Sequence, residues 1–519
     1  AYLIYTYEKS FKPENFMIIA PNRLFLNYIS EVLPELGVER VKQTTFEDFA
    51  LELIGTKLKI ADANEKLVQF VNNNATEEEK KRNSTLRKIA ELKTSIVFKN
   101  MLDDYISIVE QNFIPKEDFK IGSVILYKYE EIDALFKNEY KNRPIVQRIE
   151  EIKKHLNSRL KHKKNDIINS IYKKSELRVR HLKETMEDTE ERRRLIIEEI
   201  NKRDELIDKL ETTSKKAIKE YIRRISKVSA FDYYRDFIEG EDIYDIAFQN
   251  LVDRDLISSL SSHTAGMMKK GYVEIEDLAP IIYLKYKIHG IDEKIPVKHI
   301  VIDEAQDFSA FQFLVLKCII KDSSFTILGD LNQGIHSYRG TRDWQEVKSL
   351  AFSDRKVEYL TLEQSYRNTV EIMEAANKVI KKLKIDGIVL AKPVIRHGEE
   401  VKVIQKADTK EMTDEIADKI KGFKEEGFKS VAVICKTLDE CKKMYTVLKK
   451  KINEINIITG KEEEYKNGIV IVPSYLAKGL EFDVVIIANA GREQYTNDEL
   501  DIKLLYVAMT RALHRLIIY

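Results

Sequence analysis

The sequence predicts an α/β protein with two parallel sheets, the first of which is split by a long, all-helical, coiled-coil-like insertion. From residue 271 onward, short apolar runs alternate with helix-length segments, which is typical of doubly wound parallel sheets. Between Pro144 and Gly240 the chain has neither glycine nor proline, and apolar residues recur there at helical spacing. The predicted strands cover residues 16–20, 299–302, 325–328, 357–360, 401–404, 430–434, 455–458, 468–472 and 484–488.

The first part of the chain combines one strand with several helices. The apolar run at residues 16–20 predicts a buried strand, and the Pro-Asn pair that follows it marks a turn into a helix. Helices are expected over residues 1–7, 24–33 and 47–54 and, with breaks near Pro115 and Gly122, within residues 64–129.

A coiled-coil arm is expected within the insertion, over about residues 144–230. A polar stretch at residues 173–176 is where the chain is expected to turn into an antiparallel hairpin. Residues 145–230 hold 24 basic and 16 acidic residues, an excess that fits either a solvated arm or an acidic or nucleic-acid partner. The apolar residues at spacings of three and four are Ile145, Ile149, Ile152, Leu156 and Leu160.

Length and composition limit the class of protein. A chain of 519 residues suggests about three or four structural units. The 87 basic and 86 acidic residues nearly cancel, so net charge gives no indication of a nucleic-acid partner. The three cysteines show no metal-ligand spacing, which indicates a reduced, cytoplasmic protein. No apolar run approaches the roughly 18 residues of a membrane span, and no signal peptide is evident.

The strongest chemical signal is an apolar strand that ends in carboxylates, His299-Ile-Val-Ile-Asp-Glu-Ala-Gln-Asp307. Ligands of parallel α/β sheets bind at the carboxyl ends of the strands. There Asp303 would hold Mg²⁺, and Glu304 would polarise the water that attacks a γ-phosphate.

This string resembles the second motif of superfamily 1 helicases of the UvrD/Rep type, and further blocks follow in the family's order. Leu328-Gly-Asp-Leu-Asn-Gln-Gly-Ile-His336 resembles the third motif, which implies that Gln333 senses the γ-phosphate. Leu362-Glu-Gln-Ser-Tyr-Arg-Asn368 resembles the fourth, which implies that Arg367 contacts the γ-phosphate. The resemblance implies two RecA-like P-loop NTPase lobes that use ATP and Mg²⁺.

Two more blocks belong to the second lobe. Val472-Pro-Ser-Tyr-Leu-Ala-Lys-Gly-Leu-Glu-Phe-Asp483 resembles the fifth motif and Leu505-Tyr-Val-Ala-Met-Thr-Arg-Ala512 the sixth. Guanidinium groups suit a phosphoryl group in transfer, whereas an arginine taken alone could equally form a surface salt bridge. The resemblance places Arg511, Gly479 and Glu481 at the nucleotide, and Asp307, Tyr338, Ser474 and Lys478 at nucleic acid or in coupling.

A phosphate-binding loop requires G-x-x-x-x-G-K-[ST], and no such string occurs in these 519 residues. In the family the loop precedes a helix and then the strand that residues 16–20 match. The resemblance therefore predicts that the loop lies upstream of residue 1, and that residues 1–519 alone do not hydrolyse ATP.

The first lobe resembles the HelD type of RNA-polymerase-associated ATPases of Gram-positive bacteria. Residues 19–37, 43–46 and 277–286 carry this similarity, together with the helical insertion. It implies an ATPase that binds RNA polymerase and releases or recycles it. The alternatives are a 3′-to-5′ DNA helicase acting on single-stranded DNA and a scaffold without turnover. Tyr338 or Trp344 could stack a base, or could pack in the core.

Four segments follow from this comparison. The first lobe is expected at residues 1–58 and 266–385, and the helical insertion at residues 59–265. The second lobe is expected at residues 386–519.

Overall fold

The computed structural model of the protein describes residues 12–23, 40–72, 75–121, 124–225, 228–291, 295–383, 388–460 and 468–519, together with residues 6, 26, 30 and 33–35. The helices predicted over residues 1–7 and 24–33 lie mostly outside these ranges. The chain forms two compact units: Ala1–Lys99, Asn250–Pro280 and Glu293–Tyr519 make the first, and Asn100–Gln249 with Ile281–Asp292 make the second. In the described part of the chain, no helix has the length and apolar character of a membrane span.

The first unit opens with strands and capped helices. Thr45 caps the helix after the second strand by accepting a hydrogen bond from the Asp48 amide at 3.1 Å. Gly55 ends that helix with a φ of +71°, a left-handed conformation that glycine adopts without strain. The elements are β1 Phe16–Ala20, β2 Lys42–Thr45, α1 Phe46–Ile54, β3 Lys59–Ile60, α2 Ala63–Phe70 and α3 Glu77–Lys93.

The second unit is largely helical and contains the predicted arm. Its long helices α6 and α7 form an antiparallel pair, joined by ion pairs such as Arg178–Glu199 at 3.2 Å. The elements from the first unit's border onward are α4 Ile96–Asn112, β4 Phe119–Ile121, β5 Val124–Tyr127, α5 Tyr129–Ala134, α6 Ile145–Thr185, α7 Glu190–Arg223, α8 Ala230–Glu239 and α9 Asp242–Gln249.

Two predictions for this helical region were wrong in detail. The chain does not turn at residues 173–176, because Lys-Lys-Ser-Glu contains no helix breaker and α6 continues to Thr185. The turn comes at residues 186–189, where Thr189 caps α7 by accepting from the Arg192 amide. Residues 119–121 and 124–127 form the antiparallel strands β4 and β5, and not helix.

The first sheet has four parallel strands in the order β2-β1-β7-β8. Its central strand β7 pairs with β1 from His299 opposite Phe16 and with β8 from His299 opposite Ser324. The elements after the second unit are α10 Arg254–Lys269, β6 Tyr272–Val273, α11 Ile275–Leu284, β7 His299–Ile302, α12 Ala310–Ile319, β8 Ser324–Ile327 and α13 Trp344–Ala351.

The strand predicted at residues 357–360 is not formed. These residues have no regular secondary structure, and β8 is the last strand on that side of the sheet. The expectation failed because an extended apolar segment becomes a strand only when a neighbouring strand hydrogen-bonds to it.

The second sheet has six parallel strands in the order β11-β16-β15-β12-β14-β13. The predicted strands at residues 401–404, 430–434, 455–458, 468–472 and 484–488 are confirmed with small shifts. The elements are β9 Gln364–Ser365, α14 Val370–Ile380, β10 Lys392–Pro393, β11 Lys402–Val403, α15 Thr409–Glu425, β12 Val431–Cys435, α16 Leu438–Leu448, β13 Ile455–Ile457, β14 Ile469–Pro473, β15 Phe482–Ile487, α17 Glu499–Thr510 and β16 Ala512–Ile518.

Strand β12 shows why the second sheet is doubly wound. Val431 and Val433 pack with α15 and α16 on one face, whereas Ala432 and Ile434 pack with α14 and α17 on the other. Alternate residues of a strand point to opposite faces, so a strand buried on both faces reads as a continuous apolar run. The predicted α/β fold with parallel sheets and a helical insertion is therefore confirmed.

Candidate active site

Asp303 and Glu304 lie directly after β7, at the carboxyl end of the first sheet. Glu304 has a φ of +50°, a left-handed conformation that is costly for a residue with a side chain and is common at functional sites. The Asp303 carboxylate accepts a hydrogen bond from the Glu304 amide at 2.9 Å. Burial raises the pKa of Asp303, so a cation beside it would stabilise the ionised form.

Gln306 joins the second and third motifs, a role that the sequence analysis missed. It is fully buried, and its amide nitrogen donates to the Glu304 carboxylate. Its oxygen accepts from the Asp330 amide at 3.0 Å. A Cβ on Gly329 would lie 2.7 Å from that oxygen and 2.8 Å from the ring of Trp344. Gly329 therefore permits this close approach. Of the two alternatives for Trp344, stacking on a base and packing against the protein, the structure shows packing.

Lys478 of the second lobe reaches the carboxylates of the first. Its ammonium lies 2.7 Å from Asp307 Oδ2 and 3.2 Å from Glu304 Oε2, with the side chain 10% exposed. Burial lowers the pKa of Lys478, but the Asp307 and Glu304 charges outweigh burial and raise it. The lobes are therefore tied together by a charge cluster at the carboxyl end of β7.

Arg511 follows α17 and makes the second contact between the lobes. Its side chain is almost fully buried, and Nη2 donates to Gln333 Oε1 at 2.8 Å. Gln333 in turn donates to Asp330 Oδ2 at 2.8 Å. Burial, followed by repulsion from Arg367, lowers the pKa of Arg511 to about 10. Among the described residues no carboxylate forms an ion pair with Arg511, although Glu304 and Glu481 attract its guanidinium electrostatically.

Arg367 lies beside Glu481, with Nη2 and Oε1 2.6 Å apart, and both side chains are partly exposed. Asn368, which the sequence analysis did not select, donates to the carbonyl oxygens of Thr510 at 3.0 Å and Ala512 at 2.7 Å. These carbonyls flank Arg511. The two arginines predicted at the nucleotide, Arg367 and Arg511, therefore belong to segments that Asn368 holds together.

Two residues predicted at nucleic acid are buried. Tyr338 is 5% exposed and packs edge to face against Phe70, with ring centroids 5.0 Å apart. Ser474 is fully buried, and its hydroxyl donates to the Lys436 carbonyl at 3.1 Å. In this arrangement neither side chain is open to a nucleic-acid base, and Tyr338 takes the packing alternative.

The structure thus brings several of the predicted residues together. Four of them, Asp303, Glu304, Gln333 and Arg511, lie at or next to the carboxyl end of β7 or reach residues there. Gly479, on the loop between Lys478 and Glu481, has a φ of +82° and open space around its Cα. The described ranges hold no group of three His, Cys, Asp or Glu residues arranged to bind a metal ion, so Mg²⁺ here would need phosphate oxygens and water as further ligands.

Three family models match the chain. The UvrD/REP helicase N-terminal domain matches residues 26–345. Two models of the UvrD-like helicase C-terminal domain match residues 360–465 and 468–519.

Individual relatives match over shorter stretches. The ATP-dependent DNA helicase Rep of Buchnera aphidicola is 26% identical over 187 residues, which are 34% of this chain and 27% of that protein. Rep of Escherichia coli is 33% identical over 85 residues, 16% of this chain and 12% of that protein. The chain therefore matches well under half the length of these relatives. A solved C-terminal domain of a possible DNA helicase from Lactobacillus is 32% identical, with 30% of this chain and 86% of that chain covered and a TM-score of 0.24.

Proposed function

The chain belongs to the UvrD/REP helicase family, and from this premise we propose that it is the motor of an ATP-driven enzyme. The observation that carries the proposal is the hydrogen bond from Arg511 of the second lobe to Gln333 of the first. A site that needs groups from both lobes is complete only when the lobes are together, so hydrolysis and lobe movement are coupled.

The residues present fit a nucleotide polyphosphate with Mg²⁺. Arg511 is a buried guanidinium that no carboxylate among the described residues contacts directly, and burial together with Arg367 lowers its pKa; an anionic phosphate would stabilise its charge. Asp303 would hold Mg²⁺, which neutralises phosphate charge, and Glu304 would orient the attacking water. Gln333 would report the γ-phosphate to Arg511. Arg367, Gly479 and Glu481 would line the nucleotide on the side of the second lobe.

The open edge of the first sheet supports a phosphate-binding loop supplied from outside these 519 residues. Strand β8 is half-exposed, although parallel sheets are normally covered. Residues 356–363 begin beside it, where Arg355 donates to the Ser323 carbonyl. Within this segment Leu360 is 77% exposed and Leu362 is 92% exposed. We propose that a strand fits between β8 and this segment and delivers the loop to the phosphates.

Mg²⁺-dependent ATP hydrolysis tests this proposal. Residues 1–519 alone are expected to show none, and a longer reading frame that includes an upstream G-x-x-x-x-G-K-[ST] is expected to be active. Replacing Arg511 with alanine in the longer protein should abolish turnover while nucleotide still binds. Appreciable turnover by residues 1–519 would show that the proposed position of the loop is wrong.

We further propose that the partner is RNA polymerase, which the motor would release or recycle in the manner of the HelD type. The support is the similarity of residues 19–37 and 277–286 and the arm of α6 and α7. Because Tyr338 and Ser474 are buried, they are also not available to bind the bases of a single strand. Under this proposal residues 1–58, 59–265, 266–385 and 386–519 remain the domain segments. Co-purification of the longer protein with RNA polymerase at low salt is expected, and no association would exclude this partner.

A 3′-to-5′ DNA helicase acting on single-stranded DNA is the second candidate. It is favoured by the relatives, which are named DNA helicases. Strong stimulation of ATP hydrolysis by single-stranded DNA, together with unwinding of a tailed duplex, would select it over the polymerase partner.

A further inference from the structure

The second half of α7 carries an exposed cluster of cations at the base of the arm. Residues 209–223 hold five basic and two acidic residues, whereas residues 190–208, the first half of the helix, hold five basic and seven acidic residues. The positive excess of α7 therefore belongs to its second half. Four of these cations lie within nine residues and form what we call the basic cluster: Lys215, Lys216, Lys219 and Arg223.

The basic cluster lies away from the buried side of α7. Ser214 and Tyr221 are buried in the second unit. Lys216 and Arg223 each follow one of them by two positions, which on an α-helix is a rotation of about 200°. All four cations of the cluster are exposed, so their ammonium and guanidinium groups are open to a partner.

Lys219 has cations as its neighbours on the helix surface. Residues three and four positions apart are adjacent there, and for Lys219 these are Lys215, Lys216, Ile222 and Arg223. Like charges at this spacing destabilise a helix. A carboxylate at one of these positions would make the arm more stable, so the cluster indicates an anionic partner.

The carboxylates nearest to the basic cluster do not neutralise it. Glu211 lies one turn before Lys215, but it forms an ion pair with Lys164 of α6 at 3.2 Å. Glu220 is exposed and forms no ion pair with any residue that the structure describes. Residues 145–166 of α6, which run alongside, hold seven basic and three acidic residues. This end of the arm is therefore positively charged on both helices.

The composition of this face favours nucleic acid over an acidic protein. Within residues 209–223 no apolar or aromatic side chain is exposed, and the remaining exposed residues beside the cluster include Thr212 and Thr213. Protein interfaces are depleted in lysine and depend on apolar or aromatic anchors, whereas lysine, arginine and hydroxyl groups contact phosphates. Without an exposed ring, the face offers no platform on which the bases of a single strand could stack.

We propose that α7 binds the phosphate backbone of a nucleic-acid duplex through the basic cluster, without reading its sequence. From Lys215 to Arg223 the helix spans about 12 Å, a length over which one strand of a DNA duplex presents about three or four phosphates. DNA and RNA duplexes share this chemistry. The proposal goes beyond the motor function and does not require ATP hydrolysis.

Fluorescence anisotropy with labelled DNA and RNA duplexes of about 20 base pairs tests the proposal on the whole chain, between about 50 and 200 mM salt. Each phosphate that is neutralised contributes about 0.9 to the slope of log K against log salt concentration, so a slope of about −3 or steeper is expected. The triple variant Lys216→Gln, Lys219→Gln, Arg223→Gln should make the slope shallower by about 2–3 and weaken binding at least about tenfold. The tighter of the two duplexes identifies the nucleic acid.

A matched control removes the same charge from the first half of α7. The triple variant Arg193→Gln, Arg194→Gln, Lys202→Gln changes three exposed side chains there and should leave slope and affinity nearly unchanged. Thermal unfolding checks the fold, and the cluster variant is expected to be at least as stable as the original protein because like charges are removed.

Lys219→Glu provides an independent test, because a carboxylate among three cations should stabilise the helix and still weaken binding of the duplex. Three outcomes would overturn the proposal. They are no binding of either duplex by the original protein at low salt, equal losses in the two triple variants, and tighter binding of polyglutamate than of both duplexes, which would assign an acidic polypeptide instead.

Discussion

Replacing Arg511 with methionine is expected to leave the protein without nucleotide at least as stable as the original, although Arg511 is among its largest fully buried side chains. The guanidinium donates to neutral oxygens, of Gln333, Val507, Leu480 and Thr510. No carboxylate among the described residues pairs with it. Methionine keeps the unbranched apolar stem and removes the charge.

The lowered pKa of Arg511 gives the expected change in the free energy of unfolding. Burial and then Arg367 lower it from 12.5 to about 10, and at about 1.4 kcal/mol per pH unit the charged form is destabilised by about 3 kcal/mol in the folded protein. Methionine also removes the hydrogen bonds that these oxygens accept, and this loss offsets about 1–2 kcal/mol of the gain in stability. Arg511→Met is therefore expected to raise the free energy of unfolding by about 1–2 kcal/mol. A base with a lowered folded-state pKa destabilises the fold at every pH below that pKa, so the difference is fully present at pH 7 and is lost as the pH rises above about 10.

Urea unfolding followed by fluorescence of the sole tryptophan, Trp344, measures the change. Tripolyphosphate should stabilise the original protein, because it neutralises the guanidinium, and should stabilise Arg511→Met much less. Arg342→Met is the control, since this arginine is 51% exposed in an ion pair with Glu91, and it should change little. A loss of about 3 kcal/mol or more in Arg511→Met, with tripolyphosphate stabilising both proteins equally, would refute the reasoning.

Four further predictions concern buried groups. Lys93→Met should lower the free energy of unfolding by about 3–5 kcal/mol, because it removes the buried ammonium that pairs with the buried carboxylates of Glu274 and Asp277, whereas Lys80→Met, at a 56% exposed side chain, should change little in the same urea titration. The pKa of Glu274 is held well below its usual range. Its contribution to stability is therefore present above about pH 4.3 and declines only as acid titrates the folded carboxylate. A steep loss of stability between pH 7 and 5 in the original protein but not in Glu274→Gln would contradict this. Lys478→Met should cost about 3 kcal/mol by the same reasoning, and full stability of that variant by urea unfolding would show that the lobes do not depend on this contact. Tyr338→Ala should cost about 3–5 kcal/mol as a core truncation, while Tyr338→Phe stays near the original; equal stability of both in thermal unfolding would mean that the ring is not packed.

The arm shows what helical periodicity predicts and what it does not. Apolar residues such as Ile149 and Ile152 identified a long helix, and α6 indeed buries them. The position of the turn could not be read from polarity, because Lys, Ser and Glu at residues 173–176 suit an exposed helix face as well as a loop. Capping chemistry was the informative signal, since Thr189 with two following glutamates marks the start of α7.

In the candidate site, ordered strings of residues predicted which groups meet, but not how they pair. Gln306 and Asn368 stood within those strings and were passed over, because a buried amide that bridges two segments has no spacing pattern of its own. The burial of Tyr338 was also beyond the sequence, since the residue that covers it, Phe70, lies far away along the chain.

The amino-acid sequence was sufficient to predict the α/β class, the family, the helical insertion and the residues at the carboxyl end of β7. These follow from periodicity and from local order, which are properties of neighbouring residues. The three-dimensional contacts were needed to show that residues 357–360 stay unpaired and that no carboxylate among the described residues contacts Arg511 directly. Strand pairing, burial and charge balance depend on residues brought together from distant parts of the chain, and those contacts are what folding adds.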